Sequence, residues 1–282
     1  MSGVQVQPAV VVGVDSSAAA MHAALWAVDE AVSRDIPLRL VHVLETEDSG
    51  PIGTAQRLAD AQNAIGRVGS AVEATDKPIK VETDIVKGRA AGTLVRLSHQ
   101  AAMLCLGVVG SNPIRHGQVG STTAAVAGSA HCAVAIIRGT TPPIQNRAKV
   151  ILVATDDSPD DGVLLQTAAH EAALRNAPLR VITCWQPPHW DPEATQEGDQ
   201  RILAQLDRRL ARWRRLYPEV LVEPVAVHGN LFGYLTAQAA QLQMLIVSAR
   251  GPGHVREVVG PAGNAALRSS DCTVLVVDHQ HL

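Results

Sequence analysis

Glycines with a spacing typical of phosphate-binding loops lie in the first half of the chain. Gly107 and Gly110 stand three residues apart, and Gly120-Ser121 follows after nine further residues. Glycine lets backbone N–H groups approach an anion closely, and a helix start adds unpaired N–H donors. Residues 103–106 are apolar, as in a strand, and residues 122–130 have a helical pattern. This arrangement predicts a phosphate-binding loop, although a turn that needs small residues only for packing has the same spacing.

A carboxylate stands at a comparable place near the start of the chain. Asp15 directly follows the apolar run 10–14, and it is either a ligand contact or a turn carboxylate that caps the next helix. In an open parallel sheet, ligands bind at the carboxyl ends of the strands where the strand order reverses. In the strand order 3-2-1-4-5 that we predict for this sheet, strands 1 and 4 are neighbours at its centre. We therefore expect Asp15 and the Gly107–Gly110 loop to face one crevice.

The elements that must position these residues occur twice. A shift of 141 residues aligns the two halves without a gap from Asp15 and Asp156 onward. It also aligns Pro37-Leu38-Arg39 with Pro178-Leu179-Arg180, Gly88 with Gly229, Gly92 with Gly233, Met103 with Met244 and Gly110 with Gly251. A repeat of about 140 residues has the size of a domain rather than of a solenoid unit. We predict one domain at residues 1–140 and a second at 149–282, joined by a proline-containing linker at 141–148.

The composition suits such domains and excludes several classes of protein. Of the 282 residues, 46% are hydrophobic and only 2% aromatic, so valine, leucine, isoleucine and alanine build the core. The net charge of −3 argues against a general nucleic-acid binder. No apolar run approaches the roughly 20 residues of a membrane span, and residues 1–8 lack the pattern of a signal peptide. Cys105, Cys132, Cys184 and Cys272 form no C-x-x-C pair, which favours reduced thiols in a cytoplasmic protein over a metal site.

The apolar periodicity predicts alternating strands and helices in each half. The strands of the first half are expected at 9–14, 38–43, 80–86, 103–108 and 133–138, and its helices at 18–34, 54–73, 90–100 and from Ser121, with Ser16 or Ser17 as the first N-cap. The strands of the second half are expected near 149–154, 179–184, 221–227, 244–248 and 273–277, and Ser158-Pro159 begins its first helix. Strict alternation implies a parallel sheet. The predicted fold is α/β, with two tandem Rossmann-like domains, each an open five-stranded parallel sheet of order 3-2-1-4-5 with helices on both faces.

Four motifs of the first half resemble those of the universal stress protein family. They are Val12-Gly13-Val14-Asp15-Ser16-Ser17, Leu40-Val41-His42-Val43, Gly107-x2-Gly110-x9-Gly120-Ser121 and His131-Cys132-Ala133-Val134. The resemblance covers nearly the whole chain as two tandem domains, a form familiar from actinobacteria. The family's ATP-binding members imply ATP with Mg as the ligand. The implied contacts with adenine and ribose are Asp15 and the Val43 backbone, and those with ribose and phosphates are Gly107, Gly110, Gly120, Ser121 and Thr123.

The second half departs from this nucleotide signature. Ser248 replaces Gly107, and the loop from Gly251 to Gly260 holds eight residues rather than nine. Pro261, which has neither a hydroxyl nor an N–H, replaces Ser121. The weaker candidates there are Asp156, Cys184 in place of Val43, Gly251 and Gly260. We expect weak binding or none; the alternative is that Gly251-Pro252-Gly253 builds a different loop in which Arg250 and Arg256 supply the lost donors.

Two further groups of residues have a structural and a functional interpretation. The second long helix of the second half carries Arg201, Arg208, Arg209, Arg212, Arg214 and Arg215. We interpret this run as a solvated face with acidic neighbours such as Asp207; the alternative is a surface for an acidic partner or for lipid headgroups. Trp185 and Trp190 flank Pro187-Pro188, and we favour packing over a lid for both.

The sequence gives little support for catalysis. It contains no G-x-S-x-G elbow and no G-x-x-x-x-G-K-[ST] loop. The main hypothesis is therefore an ATP-binding regulatory protein of the stress response with at most slow ATP hydrolysis. The alternatives are an ATP-using enzyme on the related fold, whose H-x-G-H or S-G-G-x-D-S motif is missing, and an interaction scaffold. The resemblance also implies a homodimer paired through the strand-5 edges, with an unknown protein partner as a further possibility.

Overall fold

The computed structural model describes residues 7–45, 50–110, 119–139, 149–156, 161–186, 192–249, 254–267 and 270–278. The chain divides into two compact units, Met1–Pro143 with Gln280–Leu282, and Ile144–His279. The predicted linker, 141–148, lies outside the described residues, so its borders stay a prediction.

The first unit is an open parallel sheet with connecting helices. Its elements are β1 (Ala9–Gly13), α1 (Ala18–Ser33), β2 (Leu38–Leu44), α2 (Gly50–Glu73), β3 (Val81–Lys87), α3 (Ala90–Ser98), β4 (Ala101–Gly107), α4 (Ser121–Ala127) and β5 (Ala133–Ile137). The strands lie in the order β3-β2-β1-β4-β5, and each neighbouring pair is parallel. This is the predicted order, and it places β1 and β4 side by side at the centre.

The second unit repeats this plan, with a 3-10 helix (Ala239–Gln241) before its fourth strand. Its elements are β6 (Val150–Thr155), α5 (Asp161–Leu174), β7 (Leu179–Trp185), α6 (Pro192–Leu216), β8 (Val222–His228), α7 (Leu231–Gln238), β9 (Leu242–Ser248), α8 (His254–Val259), α9 (Pro261–Leu267) and β10 (Thr273–Val277). The order β10-β9-β6-β7-β8 is again the predicted one. The sequence did not predict α8, which interrupts the connection from β9 to α9. The expected helix start at Ser158-Pro159 lies outside the described residues.

The duplication extends to unusual backbone conformations. Asp35 and Asn176, which are 141 residues apart, have φ angles of 52° and 49° in the turns after α1 and α5. Asp and Asn tolerate this left-handed region better than other non-glycine residues. Gly88 and Gly229, also 141 residues apart, have φ angles of 146° and 105° before α3 and α7. The repeat therefore preserves strained turns as well as apolar positions.

Buried strands form the core of each unit. Val10, Val11 and Val12 are at most 3% exposed, which fits a parallel strand covered on both faces. Most boundaries differ from the expected ones by one or two residues. A larger difference occurs at α2, which begins at Gly50 rather than at residue 54. In the described residues, no helix combines the length and the apolar character needed to cross a membrane.

Candidate functional site

The predicted residues of the first domain surround one crevice at the carboxyl ends of its strands. The crevice has a volume of about 380 Å³ and lies where β1, β2 and β4 end and α4 begins. All seven candidates of this domain line it: Asp15, Val43, Gly107, Gly110, Gly120, Ser121 and Thr123. These residues come from separate elements, so the strand order brings them together as predicted.

The start of α1 holds the Asp15 side chain at the carboxyl end of β1. The backbone N–H of Ser17 donates to Asp15 Oδ1 over 2.9 Å, and the Ser17 hydroxyl donates to the same oxygen. The Ser17 hydroxyl also accepts from Ala20 N at 3.1 Å, so Ser17 is the N-cap of α1. The structure therefore shows Asp15 as a turn carboxylate and confirms Ser17 as an N-cap, while contact of Asp15 with a ligand stays a prediction. The sequence signal for this contact is the Asp-x-Ser spacing of a side chain-to-backbone turn.

The glycine loop returns to the end of β4. Gly120 N donates to Val108 O at 2.8 Å, which closes the loop, and residues 111–118 between them lie outside the described residues. A Cβ added to Gly110 would lie 3.0 Å from Asp15 Oδ2. The Asp15 carboxylate and the Gly110 backbone are therefore neighbours across the crevice, as the sheet order predicted.

Gly107 also has a packing role that the sequence left open. A Cβ at this position would lie 2.7 Å from the carbonyl carbon of Ala19 and 2.7 Å from its Cβ. Glycine is therefore needed here for the close approach of β4 to α1, whatever binds in the crevice. The packing interpretation of the glycine spacing holds for Gly107, while Gly110 and Gly120 have no such backbone contact below 3.4 Å.

Thr123 has a partner that the sequence did not indicate. It is 5% exposed, and its hydroxyl donates to Gly107 O at 2.9 Å. The hydroxyl hydrogen therefore links α4 to the end of β4, and contact of Thr123 with phosphate stays a prediction. Ser121, two residues earlier, is exposed at the first position of α4. Its hydroxyl is the better placed of the two to reach an anion.

His42 is a crevice residue that sequence reasoning did not single out. It follows Val41 on β2, lines the crevice, and its Nδ1 is buried without a hydrogen-bond partner among the described residues. Burial lowers the pKa of the His42 imidazole, against the opposing effects of the Asp15 charge and a hydrogen bond to the Val14 backbone. The ionised side chains that line the described part of the crevice are the carboxylates of Asp15 and Glu45. The described lining therefore offers an anionic ligand backbone N–H groups and hydroxyls.

The corresponding residues of the second domain form a different environment. Asp156 is exposed and follows Thr155, whose hydroxyl lies 3.2 Å from Ile182 O and 3.0 Å from the Thr183 hydroxyl. Burial raises the pKa of the Cys184 thiol, and the nearby Glu257 carboxylate raises it further. The second domain thus adds a carboxylate on α8 close to the residue that replaces Val43. Gly251, by contrast, lies outside the described residues.

The unpredicted helix α8 covers the start of α9. Gly260 precedes Pro261, the first residue of α9. A Cβ on Gly263, in the first turn of α9, would lie 2.2 Å from Glu257 O and 2.6 Å from Val258 O. Backbone of α8 therefore occupies the space beside this turn. The alternative loop with Arg250 and Arg256 as donors stays open, because Arg250 and the Arg256 side chain lie outside the described residues.

Trp185 is packed rather than free to act as a lid. A Cβ on Gly198 would lie only 2.2 Å from its ring, so α6 approaches the indole closely. Its Nε1 donates to Asp199 Oδ1 at 2.9 Å, and the His228 Nε2 lies 2.8 Å from the same oxygen. Packing was the favoured interpretation for Trp185; Trp190 lies outside the described residues.

The fold defines a tandem α/β protein with a crevice at the strand ends of its first domain. The universal stress protein family model matches residues 8–138 and again 147–278, and the chain belongs to this family. A universal stress protein of Mycobacterium tuberculosis strain H37Rv is 46% identical over 98% of both chains, and another is 36% identical over 95% of both. The crystal structure of a universal stress protein from Archaeoglobus fulgidus covers 96% of both chains with a TM-score of 0.72 at 16% identity, which shows the shared fold.

Proposed function

We propose that the crevice of the first domain binds an adenine nucleotide, ATP with Mg, and that the protein regulates a stress response through its nucleotide-bound state. One observation carries the proposal: seven residues named from the sequence for this role line a single crevice of about 380 Å³. They come from four separate elements, so a common need for short turns does not explain their convergence.

The residues of the crevice suit each part of such a ligand. Asp15, held by Ser17, offers its carboxylate to ribose hydroxyls, and the apolar end of β2 at Val43 suits a base. Gly110 is exposed and Gly120 half-buried, with the Gly120 N–H donated to Val108 O, and the Ser121 hydroxyl is exposed at the start of α4. Because the ionised lining side chains described are acidic, the phosphates would carry their own Mg²⁺, which typically binds through phosphates and at most one or two carboxylates.

The same crevice argues for binding rather than turnover. Rapid phosphoryl transfer needs a positioned base or water and cationic groups around the transferred phosphoryl group. His42 faces the crevice, but burial lowers the pKa of its imidazole, and its Nδ1 is not accessible. We therefore propose at most slow hydrolysis. The four cysteines, all among the described residues, form no disulfide, and three of them are buried, which supports the proposed cytoplasmic location. The homodimer paired through the strand-5 edges stays a prediction.

Mass spectrometry of small molecules released from the purified protein, together with an ATPase assay, tests the proposal. Bound or titratable ATP with negligible turnover supports a nucleotide-dependent regulator. Rapid turnover would instead indicate an ATP-using enzyme on this fold. Calorimetry that detects no binding of ATP, ADP or AMP with Mg²⁺ would leave an interaction scaffold as the function.

A further inference from the structure

A line of exposed arginines follows the outer face of α6. Arg201, Arg208, Arg212 and Arg215, here named the arginine face, are all exposed and spaced by seven, four and three residues. At 3.6 residues per turn these positions lie on one side of the helix, over about 21 Å. The buried residues of α6, among them Leu206, Leu210 and Trp213, lie on the opposite side. The arginine face therefore points away from the core of the second domain.

The arginines of this face differ in their ion pairing from the neighbouring Arg209 and Arg214. Arg209 pairs with Asp161, and Arg214 pairs with Asp207, both at 3.0 Å or less. In the part of the chain that the structure describes, the four arginines of the arginine face form no ion pair. The expected solvated face is therefore confirmed for the four exposed arginines, and the expected partner Asp207 pairs with Arg214.

The first domain offers an internal comparison. The equivalent helix α2, 141 residues earlier, has Asp60, Arg67 and Ala71 at the first three positions of the arginine face, and Ala74, the residue after its end, is at the fourth. A face that only needs hydration accepts such a mixture, because mixed charges and alanines keep a helix soluble and stable. The second domain has instead accumulated four like charges, which repel one another along a helix face. Binding of a negatively charged partner would offset this repulsion.

Two of the four guanidinium groups are already held in place. Arg208 Nε donates to Ala204 O at 3.2 Å, and the Arg212 guanidinium lies 5.2 Å from the centre of the Trp213 ring. Ordering a long side chain on association costs conformational entropy, and because these two groups are already ordered that cost is lower. Exposed Ala204 and Ala211 alternate with the arginines, so a partner's backbone can approach α6 closely.

We propose that the arginine face docks an acidic helix of a partner protein, whose carboxylates pair with the four guanidinium groups. Arginine favours this chemistry because its planar fork binds carboxylates bidentately. A membrane-surface helix would need several large apolar side chains beside its cations, whereas the exposed residues between these arginines include Ala204 and Ala211, and the exposed large apolar residue of α6 is Leu216 at its last position. A general nucleic-acid surface would need a basic protein, and the net charge is −3.

A designed peptide tests the docking directly on the full-length protein. The probe is a fluorescent, alanine-rich helical peptide with glutamates at the seven, four and three spacing of the arginine face. Its control has the same composition with the glutamates spread around the helix. We expect the matched peptide to bind about tenfold more tightly than the control, since only it can form all four pairs at once. Equal binding of the two peptides, or no binding, would overturn the proposal.

Charge-reversal variants test whether the matched peptide binds at the arginine face. Arg208→Glu should weaken binding of the matched peptide about tenfold, because an attraction becomes a repulsion. Arg67→Glu, the equivalent change on α2, alters the net charge equally and should leave binding unchanged. A peptide with lysines in place of the glutamates should bind the Arg208→Glu, Arg212→Glu variant better than the native protein. Tighter binding of a single-stranded oligonucleotide or of phosphatidylserine vesicles than of the matched peptide would contradict a protein partner.

Discussion

Ser17 holds Asp15 through two groups that donate to the same oxygen, its backbone N–H and its hydroxyl. Because both donors engage Oδ1, the other oxygen, Oδ2, is directed towards Gly110 across the crevice. The start of α1 thereby sets the orientation of the carboxylate that we propose contacts the ribose. Ser17 thus couples the capping of α1 to the proposed ligand contact of Asp15.

Removal of the Ser17 hydroxyl should therefore affect binding and stability differently. Ser17→Ala should lower the stability of the protein by about 1 kcal/mol, the usual value of an N-cap. It should also weaken ATP binding about tenfold, since a hydrogen bond to a carboxylate that fixes its orientation is lost. Calorimetric titration and thermal denaturation measure the two effects. Ser17→Thr, which keeps the hydroxyl, should restore both.

Asn230 supplies the matched control for this experiment. Its side chain caps α7 in the second domain by accepting from Gly233 N at 2.8 Å. Asn230→Ala should lower stability to a similar degree and leave ATP affinity unchanged. If the two alanine variants changed ATP affinity equally, the effect of Ser17 would be one of general stability, and its role in positioning Asp15 would be rejected.

Gly120→Val should abolish ATP binding while the fold survives. The φ angle of Gly120 is −58°, which valine adopts readily, so the substitution introduces no backbone strain. Its Cβ would lie 3.5 Å from Gly110 N, an ordinary contact, and the rest of the side chain would fill the proposed phosphate position. Loss of a micromolar site corresponds to about 8 kcal/mol, so calorimetry would show even partial exclusion. Native ATP affinity in a variant of native thermal stability would disprove the loop assignment.

Gly107→Ala should destabilise the first domain even without ligand. The added methyl group would lie 2.7 Å from the Ala19 carbonyl carbon, and such overpacking costs about 1–3 kcal/mol. Gly66→Ala is the control, because a Cβ there meets nothing within 4 Å on α2, and glycine to alanine in a helix stabilises by about 0.5–1 kcal/mol. Urea denaturation should therefore give changes of opposite sign. A neutral Gly107→Ala would show that β4 and α1 are less tightly packed at this point.

His42 should make the protein less stable in acid. Since burial lowers the pKa of its imidazole below the ordinary 6.5, the unfolded chain binds a proton at His42 before the folded chain does. The stability that the neutral ring contributes is present above pH 6.5 and is lost as the pH falls through the lowered pKa. His42→Gln, which cannot titrate, should lose less thermal stability than the native protein between about pH 7 and pH 5. Equal losses would mean that other groups dominate the acid sensitivity.

The sequence predicts that these residues meet in one crevice, but it predicts the role of each residue there less well. Strand order and the carboxyl-end rule suffice to bring Asp15, Gly110 and Gly120 together, because both depend only on alternation and repeat. Spacing does not show which way a hydroxyl points, so the Thr123 bond to Gly107 O was missed. It also cannot separate a glycine needed for ligand access from one needed for packing, as at Gly107. The helix α8, six residues long, is too short for its periodicity to be recognised.

The two domains should differ in nucleotide affinity, with one tight ATP site per chain, in the first domain. In the second domain Pro261 removes an N–H donor and the Ser121 hydroxyl has no counterpart. Two lost hydrogen bonds to a charged group cost about 1.5–3 kcal/mol each, a weakening of about 10²- to 10⁴-fold. The structure adds two reasons: the Glu257 carboxylate lies near Cys184, and α8 backbone covers the first turn of α9 at Gly263.

Calorimetry of the full chain checks this asymmetry without separating the domains. The native protein should bind one ATP per chain, Gly120→Val should bind none, and Asp156→Asn should bind as the native protein does. Separate domains, cut in the linker near Pro143, would give the two affinities directly if each folds. Two ATP per chain, or one that survives Gly120→Val and is lost in Asp156→Asn, would show that the second domain has replaced its missing donors, with Arg250 as the first residue to mutate.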